Sequence, residues 1–268
     1  MRRLLPLLLL LTACAPAEQA AVPRAGERSL SIPTPDGTRT ATVVHPAAAG
    51  PGAPLVVVLH GRGGTASAMR SLGFDDLAAR DGAVVAYPQG VGRSWNAGRC
   101  CGTARSQGVD DLGFLDTLVA TLVRDDGVDP RRVYAVGFSN GGHLSYAWAC
   151  AGGALAGIAP VAGALTRECP DPTPVSVVAV AGTADRTVPV AGLASLGKAS
   201  LDASIAPFVR VGVCGSPVTR VDGDATLTTW DCAGGRTVTK DVITDQEHAW
   251  RPGTRDLLWA TLRIGAPA

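Results

Sequence analysis

Val-Tyr-Ala-Val-Gly-Phe-Ser-Asn-Gly-Gly is the sequence from residue 133 to residue 142. The apolar run 133–137 predicts a strand, and 140–150, rich in small residues near its start, predicts a helix. Between them, residues 137–141 fit G-x-S-x-G, in the strand–turn–helix context that a nucleophile elbow requires. The glycines are needed because Cβ atoms two positions either side of the serine would collide with neighbouring backbone. The pattern therefore predicts that Ser139 is a nucleophile held clear of a sheet.

Around this turn, apolar runs alternate with helical patterns, which indicates a mostly parallel sheet covered by helices. Residues 110–124 place their apolar side chains on one helix face, and Asp110 could cap its start. Residues 218–230, with a turn at Asp222 and Gly223, predict a small hairpin inserted before the last strand. Apart from the hairpin, about eight strands are predicted: 29–32, 39–45, 55–59, 83–87, 133–137, 158–162, 175–181 and 237–243.

A serine hydroxyl is a weak nucleophile and needs a base, and the chain has 4 histidines. His248 follows the last predicted strand and is the best candidate. His143 is on the same helix as Ser139 and should point back over that helix. His45 lies within an early strand. His60 ends strand 55–59, where it should shape the following loop.

The third group has to orient the imidazole and stabilise its charged form. Asp185 follows strand 175–181 directly. Ser139, Asp185 and His248 thus follow successive strands in the chain order that α/β-hydrolases use. Asp245 and Glu247 are rivals for the acid, but they are so near His248 that they fit its own loop better.

A tetrahedral intermediate would carry an oxyanion, which needs preorganised N–H donors. We expect one donor to be the backbone N–H of Asn140, next to the nucleophile. The other is expected from Arg62, in a loop whose glycines at 61, 63 and 64 let the backbone approach a substrate. A phosphate-binding loop is the competing reading, and the absence of G-x-x-x-x-G-K-[ST] argues against it.

The N-terminus predicts export. Residues 1–13 have a basic start and a short apolar core, as in a signal peptide. They run into Leu11-Thr12-Ala13-Cys14, which resembles the bacterial lipobox, where cleavage precedes an acylated cysteine. An ordinary cut after 15–17 is the alternative. We favour a cell-surface lipoprotein over a freely secreted one, with 14–27 as lipidated cysteine and tether and 28–268 as the catalytic domain.

Composition and charge exclude several classes of protein. The 268 residues are 46% hydrophobic and 18% charged, so the chain is neither disordered nor highly charged. No basic run suggests nucleic acid. Without Arg2 and Arg3 of the leader, the chain has 22 basic and 23 acidic side chains. Strong steering of a charged partner is therefore not expected. We expect a monomer that meets a membrane only through its lipid anchor.

Six cysteines besides Cys14 predict three disulfides in an exported chain, with 15 possible pairings. Adjacent Cys100 and Cys101 are not expected to bond to each other, which makes Cys150 and Cys169 their expected partners. Cys214 with Cys232 would staple the hairpin. No C-x-x-C pair or His-x-x-x-His is present, so no metal site is expected.

Further motifs carry a family resemblance: His60 to Gly64, Tyr87 to Gly90, Trp95-Asn96, Cys100 to Gly102, Val109 to Leu115, Gly137 to Gly142, Gly182 to Asp185 and His248 to Trp250. In this order they resemble the secreted polyhydroxybutyrate depolymerase and feruloyl esterase family of α/β-hydrolases. The resemblance covers about residues 30–255. It implies a Ser139–Asp185–His248 triad without a cofactor.

The leading hypothesis is an exported serine esterase that forms an acyl-enzyme. Its ester would be a polyester, a feruloylated or acetylated polysaccharide, or a small ester. Trp95 and Trp250 are candidates for lining the acyl or alcohol pocket. The paired acids Asp110 and Asp111 are expected to cap a helix and hold a loop. The alternatives are an acyltransferase on the same triad and a catalytically silent binding lipoprotein.

Overall fold

The computed structural model describes residues 25–266, so the predicted signal peptide and Cys14 lie outside the described residues. Its strands are β1 Gly26–Thr34, β2 Gly37–His45, β3 Leu55–Leu59, β4 Val84–Pro88, β5 Val133–Phe138, β6 Gly157–Val161, β7 Ser176–Gly182, β8 Val218–Asp222, β9 Ala225–Asp231 and β10 Thr237–Ile243. Its α-helices are α1 Ala66–Arg70, α2 Phe74–Asp81, α3 Gly102–Ser106, α4 Asp111–Asp126, α5 Asn140–Cys150, α6 Leu201–Val211 and α7 Thr254–Thr261.

All these strands form one sheet in the order β1-β2-β4-β3-β5-β6-β7-β10-β9-β8. The six central strands, β4-β3-β5-β6-β7-β10, are parallel to one another. The outer pairs β1–β2, β2–β4, β9–β10 and β8–β9 are antiparallel. Parallel strands end at the same edge of a sheet, which we call the carboxyl edge. The loops after β3, β5, β7 and β10 therefore meet there, and they carry the predicted site residues.

The sheet separates two apolar cores. On β3, Leu55, Val57 and Leu59 face the core that also contains side chains of α4, α5 and α6. Val56 and Val58 face the opposite core, together with side chains of α2 and α7. Successive side chains of a strand point to opposite faces, so a strand buried on both faces has to be apolar throughout. This explains why the central strands read as continuous apolar runs.

The predicted α/β architecture is confirmed. The eight predicted strands and the hairpin account for the ten observed ones, and residues 223 and 224 connect β8 to β9. The hairpin continues the main sheet, because β9 pairs antiparallel with β10. Asp110 caps α4 as expected, its carboxylate accepting the backbone N–H of Gly113 at 2.9 Å. Among the described residues, no helix has the length and apolarity needed to cross a bilayer.

The disulfide pairing corrects one expectation. Cys150, at the end of α5, is bonded to Cys169, and their Cα atoms are 5.3 Å apart. Since these two cysteines satisfy each other, Cys100 and Cys101 cannot reach them as predicted and are joined to each other. Cys214 and Cys232 are bonded as expected and hold the end of α6 against the end of β9.

Candidate active site

Ser139 occupies the tight turn between β5 and α5. Its φ of 53° lies in the left-handed region. For any residue that has a side chain, this backbone conformation is higher in free energy than the usual ones. A Cβ at Gly137 would overlap the carbonyl of Gly141, and a Cβ at Gly141 would overlap the carbonyl of Leu59. The backbone N–H of Ser139 donates to the carbonyl of Val161 at 2.8 Å. The two glycines of the motif are thus required by backbone packing, and the serine side chain is directed to the carboxyl edge.

His248 lies between Ser139 and Asp185. Its Nδ1 is 2.7 Å from Asp185 Oδ2, and its Nε2 is 2.9 Å from Ser139 Oγ. An ionised carboxylate only accepts hydrogen bonds, so Nδ1–H is the donor and Nε2 is left to accept the serine hydroxyl proton. Asp185 is buried, whereas the His248 side chain is 22% exposed. The arrangement can therefore move a proton from Ser139 Oγ to His248 Nε2.

The orientation of Asp185 is fixed by the turn that follows it. Its second oxygen, Oδ1, accepts the backbone N–H groups of Thr187 and Val188, each at 2.8 Å. These bonds occupy one carboxylate oxygen and leave Oδ2 for His248. Asp245 and Glu247, the rival acids, are both exposed, and neither is bonded to the imidazole.

Two backbone N–H groups flank Ser139. Asn140 is the first residue of α5, where backbone N–H groups lack intrahelical acceptors. A Cβ at Gly61 would lie 3.4 Å from Ser139 Cβ, so the loop that carries Arg62 passes close to the nucleophile. Within the described chain, no backbone carbonyl accepts the N–H of Arg62 or Asn140. Both donors are available to a ligand oxygen.

The side chain of Asn140 was not recognised as functional from the sequence. Its Oδ1 accepts the backbone N–H of Trp95 at 2.7 Å, and its Nδ2 donates to the carbonyl of Trp95 at 3.0 Å. Asn140 thereby joins the start of α5 to the loop after β4. The x position of G-x-S-x-G carried no local signal for this contact, because the partner lies 45 residues away.

His60 supports the loop that carries Arg62. The backbone N–H of Gly90 donates to His60 Nε2 at 3.0 Å, so the ring proton is on Nδ1 and donates to the carbonyl of Gly61 at 2.8 Å. Burial lowers the pKa of His60, which keeps the ring neutral. The indole N–H of Trp95 donates to the carbonyl of His60 at 2.8 Å. His60 is thus a structural residue of the loop, in the position that the sequence predicted.

His143 is buried one turn along α5 from Ser139. Its Nδ1 lies 2.7 Å from the carbonyl oxygen and 2.9 Å from the nitrogen of Ala164. Burial lowers the pKa of His143 to about 4, so the ring is neutral at pH 7. Contrary to the expectation that it points away over the helix, His143 lines the same cavity as Ser139.

The prediction that Trp95 and Trp250 line the substrate pocket is wrong. Trp95, in the loop after β4, is fully buried, and its indole N–H donates to the carbonyl of His60. Its side chain does not reach the cavity. Trp250 packs edge-on against Phe74 and Phe138 and is also absent from the cavity wall. Trp95 thus lies within the core and Trp250 is half-buried against it.

One group of potential metal ligands lies near the nucleophile. Cys100, Cys101 and His143 bring ligand atoms within 4.8 Å of one another. Zinc and similar ions bind thiolates, and here the two sulfurs are bonded to each other. The residues in this state do not form a metal site.

The chain is similar in sequence to named esterases. It is 37% identical over 149 residues to "Putative esterase NocK" of Nocardia uniformis subsp. tsuyamanensis. It is 35% identical over 148 residues to feruloyl esterase B of Piromyces equi. The matches cover 54% and 51% of this chain, but only 43% and 27% of the two relatives. The chain thus matches less than half of the length of these relatives. No protein-family model matches the chain.

Solved structures confirm the α/β-hydrolase fold. An acetyl xylan esterase from Aspergillus awamori superposes with a TM-score of 0.64 at 13% identity, covering 88% of this chain and 99% of the other. A thermophilic carboxylesterase cloned from a metagenomic library superposes with a TM-score of 0.59 at 15% identity, covering 92% and 91%. At such low identity, the likeness shows the fold alone.

Proposed function

We propose that this α/β-hydrolase is an exported serine esterase in which Ser139 attacks carboxylic esters. The observation that carries the proposal is the pair of hydrogen bonds that His248 makes to Ser139 Oγ and to Asp185. Sequence similarity to feruloyl esterase B of Piromyces equi supports the reaction class, and structural similarity to an acetyl xylan esterase supports the fold.

In acylation, Ser139 Oγ attacks the ester carbonyl carbon while its proton moves to His248 Nε2. The carbonyl oxygen becomes an oxyanion that accepts the backbone N–H groups of Asn140 and Arg62. Asp185 stabilises the resulting imidazolium. The C–O bond to the alcohol breaks, and His248 returns the proton to the leaving alkoxide.

In deacylation, water replaces the alcohol. His248 removes a proton from the water as its oxygen attacks the acyl carbon, and the same two N–H groups stabilise the second oxyanion. Collapse of that intermediate releases the carboxylic acid and returns the proton to Ser139. We propose a feruloylated or acetylated polysaccharide, a polyester of the hydroxybutyrate type, or a small ester as the substrate.

We also propose that residues 1–13 direct export and that Cys14 is acylated, with residues 14–27 as a tether to the cell surface. The lipobox resemblance supports this, and all of these residues except 25–27 lie outside the described part of the chain. A mass measurement of the mature N-terminus tests it. An acylated Cys14 is expected, whereas an unacylated chain starting at Glu18 would contradict the lipoprotein assignment.

The test of the catalytic proposal is a hydrolysis panel with wild type and Ser139→Ala, using p-nitrophenyl acetate, methyl ferulate, acetylated xylan and hydroxybutyrate oligomers. Loss of the nucleophile should lower kcat by about 10⁴-fold or more. A fluorophosphonate probe should label wild type but not the variant. The matched control is Ser31→Ala on β1, an exposed serine at the outer edge of the sheet and outside the cavity wall, which should keep full activity and labelling. Activity that survives in Ser139→Ala would overturn the mechanism.

A further inference from the structure

The cavity that Ser139 and His248 face has an uneven distribution of charge. It encloses about 490 Å³ at the carboxyl edge. No carboxylate belongs to its wall among the described residues, whereas four cationic side chains do: Arg62, Arg99, Arg105 and Lys198. The chain as a whole is close to neutral, but the charged side chains that surround the proposed nucleophile are all positive.

These four cationic groups, the cavity cations, are not neutralised by the protein. Elsewhere on the surface, Arg124 and Arg131 are paired with nearby aspartates. Over residues 25–266, no carboxylate comes within salt-bridge distance of any cavity cation. Their charge is therefore available to a ligand.

Contacts with the protein restrain three of the cavity cations, Arg99, Arg105 and Lys198. The stem of Arg99 lies over Gly197, where any Cβ would collide with it. The ε-nitrogen of Arg105 donates to the carbonyl of Gly98 at 3.2 Å, and Lys198 Nζ donates to the carbonyl of Thr187 at 2.7 Å. Such preorganisation lowers the entropy that a ligand loses when it binds the charged groups.

The nearest acid does not cancel this charge. Asp185 lies behind His248 and already accepts three hydrogen bonds. Burial lowers the pKa of Lys198; Asp185 opposes that shift and the positive charge of Arg62 adds to it. A cation beside another cation is stabilised when an anion enters the site.

We propose that the ester cleaved at Ser139 carries a second, anionic group, a carboxylate, which Arg99 and Arg105 bind while the ester carbonyl lies at Ser139. The inference rests on the proposed esterase function and narrows its substrate class to anionic esters. Guanidinium groups suit this role because their planar donors match the two oxygens of a carboxylate. Arg62 and Lys198 add to the field, but Arg62 also supplies an oxyanion donor and Lys198 contacts the Asp185 turn.

The test compares esters that differ only in charge. On the acyl side, monomethyl adipate is paired with the methyl ester of adipic acid monoamide; on the alcohol side, 4-acetoxybenzoate is paired with 4-acetoxybenzamide. At low ionic strength, wild type should show a kcat/KM for the anionic ester about tenfold higher in at least one pair. The pair that responds identifies the side of the scissile bond that carries the carboxylate. In 0.5 M NaCl the preference should shrink, because salt screens exposed charges.

The double variant Arg99→Gln/Arg105→Gln should lower the anionic-to-neutral ratio of kcat/KM about tenfold. Arg124→Gln/Arg131→Gln also removes two positive charges, both outside the cavity wall, and should leave the ratio unchanged. Equal rates within both pairs in wild type, or a ratio that neither salt nor the double variant alters, would overturn the inference while leaving Ser139-dependent hydrolysis intact. Failure to cleave any of the four esters while p-nitrophenyl acetate or methyl ferulate is hydrolysed would overturn this inference alone, whereas failure to cleave any ester of either set would overturn the esterase proposal and this inference with it.

Discussion

At the scale of single residues, the environment of each imidazole decides which histidine can act as a base. His60 and His143 are buried, and burial lowers the pKa of both. His45 is also buried, within β2. Only His248 is partly exposed, lies next to a serine hydroxyl and is oriented by a carboxylate. The sequence selected the same histidine by its place after the last strand.

His143 should make the fold sensitive to acid. Its pKa is about 4 in the folded state, against 6.5 for an unperturbed histidine. Between these values the unfolded chain binds a proton that the folded chain does not, so the free energy of unfolding falls as pH drops through this window. The variant His143→Gln should therefore lose less Tm than wild type between pH 7 and pH 4.5.

Thermal unfolding followed by circular dichroism across that pH range checks this expectation. The control is Ser145→Ala on the same helix, which removes a hydrogen bond to the carbonyl of Gly141 but no titrating group. It should keep the pH dependence of wild type. Parallel curves of Tm against pH for His143→Gln and wild type would contradict the assignment.

At the scale of elements, two disulfides fasten segments that the parallel core does not hold by itself. The β8–β9 hairpin lies at the outer edge of the sheet, and every residue of β8 is exposed. Cys214, after α6, is bonded to Cys232, after β9, and the two cysteines are 18 residues apart in the sequence. The loop that this bond closes therefore contains the hairpin. The bond between Cys150 and Cys169 closes a similar one, with a separation of 19, after α5.

Removing the first bond with Cys214→Ser/Cys232→Ser should lower the free energy of unfolding by about 3 kcal/mol, because the unfolded chain regains loop entropy. Ester hydrolysis at 25 °C should persist, since neither cysteine belongs to the cavity wall. Denaturant unfolding in the oxidised state measures the change. The double variant Cys150→Ser/Cys169→Ser is the matched comparison, with a sequence separation of 19 instead of 18. An unfolding midpoint equal to that of wild type would show that the hairpin bond contributes nothing.

At the scale of the whole molecule, a buried ion pair joins three parts of the chain near the site. Arg39 of β2 is 4% exposed and lies 2.6 Å from Asp111 at the start of α4. Asp111 also accepts the backbone N–H of Asn96 at 2.6 Å. Asp111 therefore holds a loop, as the sequence predicted, and Asp110 beside it caps the helix.

The variant Asp111→Asn should destabilise the protein by about 3–5 kcal/mol, because it leaves the charge of Arg39 buried without a partner. Asp110→Asn is the matched control: asparagine caps helices as well as aspartate, and this residue is exposed, so its effect should be within about 0.5 kcal/mol. Urea unfolding of the two variants measures the difference. Equal midpoints would mean that Arg39 finds another acceptor.

The sequence determined the fold class and predicted that the three residues of the proposed triad lie together at one edge of the sheet. Continuous apolar runs separated by helical patterns specify a doubly covered parallel sheet, and local steric limits specify the glycines around Ser139. Parallel strands end at one edge, so chain order alone placed Ser139, Asp185 and His248 there. These inferences depend on local pattern and topology, which a sequence displays directly.

Only the tertiary structure decided which side chains share the cavity. The bond between Cys150 and Cys169, the contact of Asn140 with Trp95 and the packing of the two proposed pocket tryptophans depend on residues distant in sequence. The distribution of charge around the site could likewise not be predicted from the sequence. Outside the leader, the balance of 22 basic and 23 acidic side chains predicted no strong steering of a charged partner. Charges act over distances in space, and folding brings Arg62, Arg99, Arg105 and Lys198 together around Ser139.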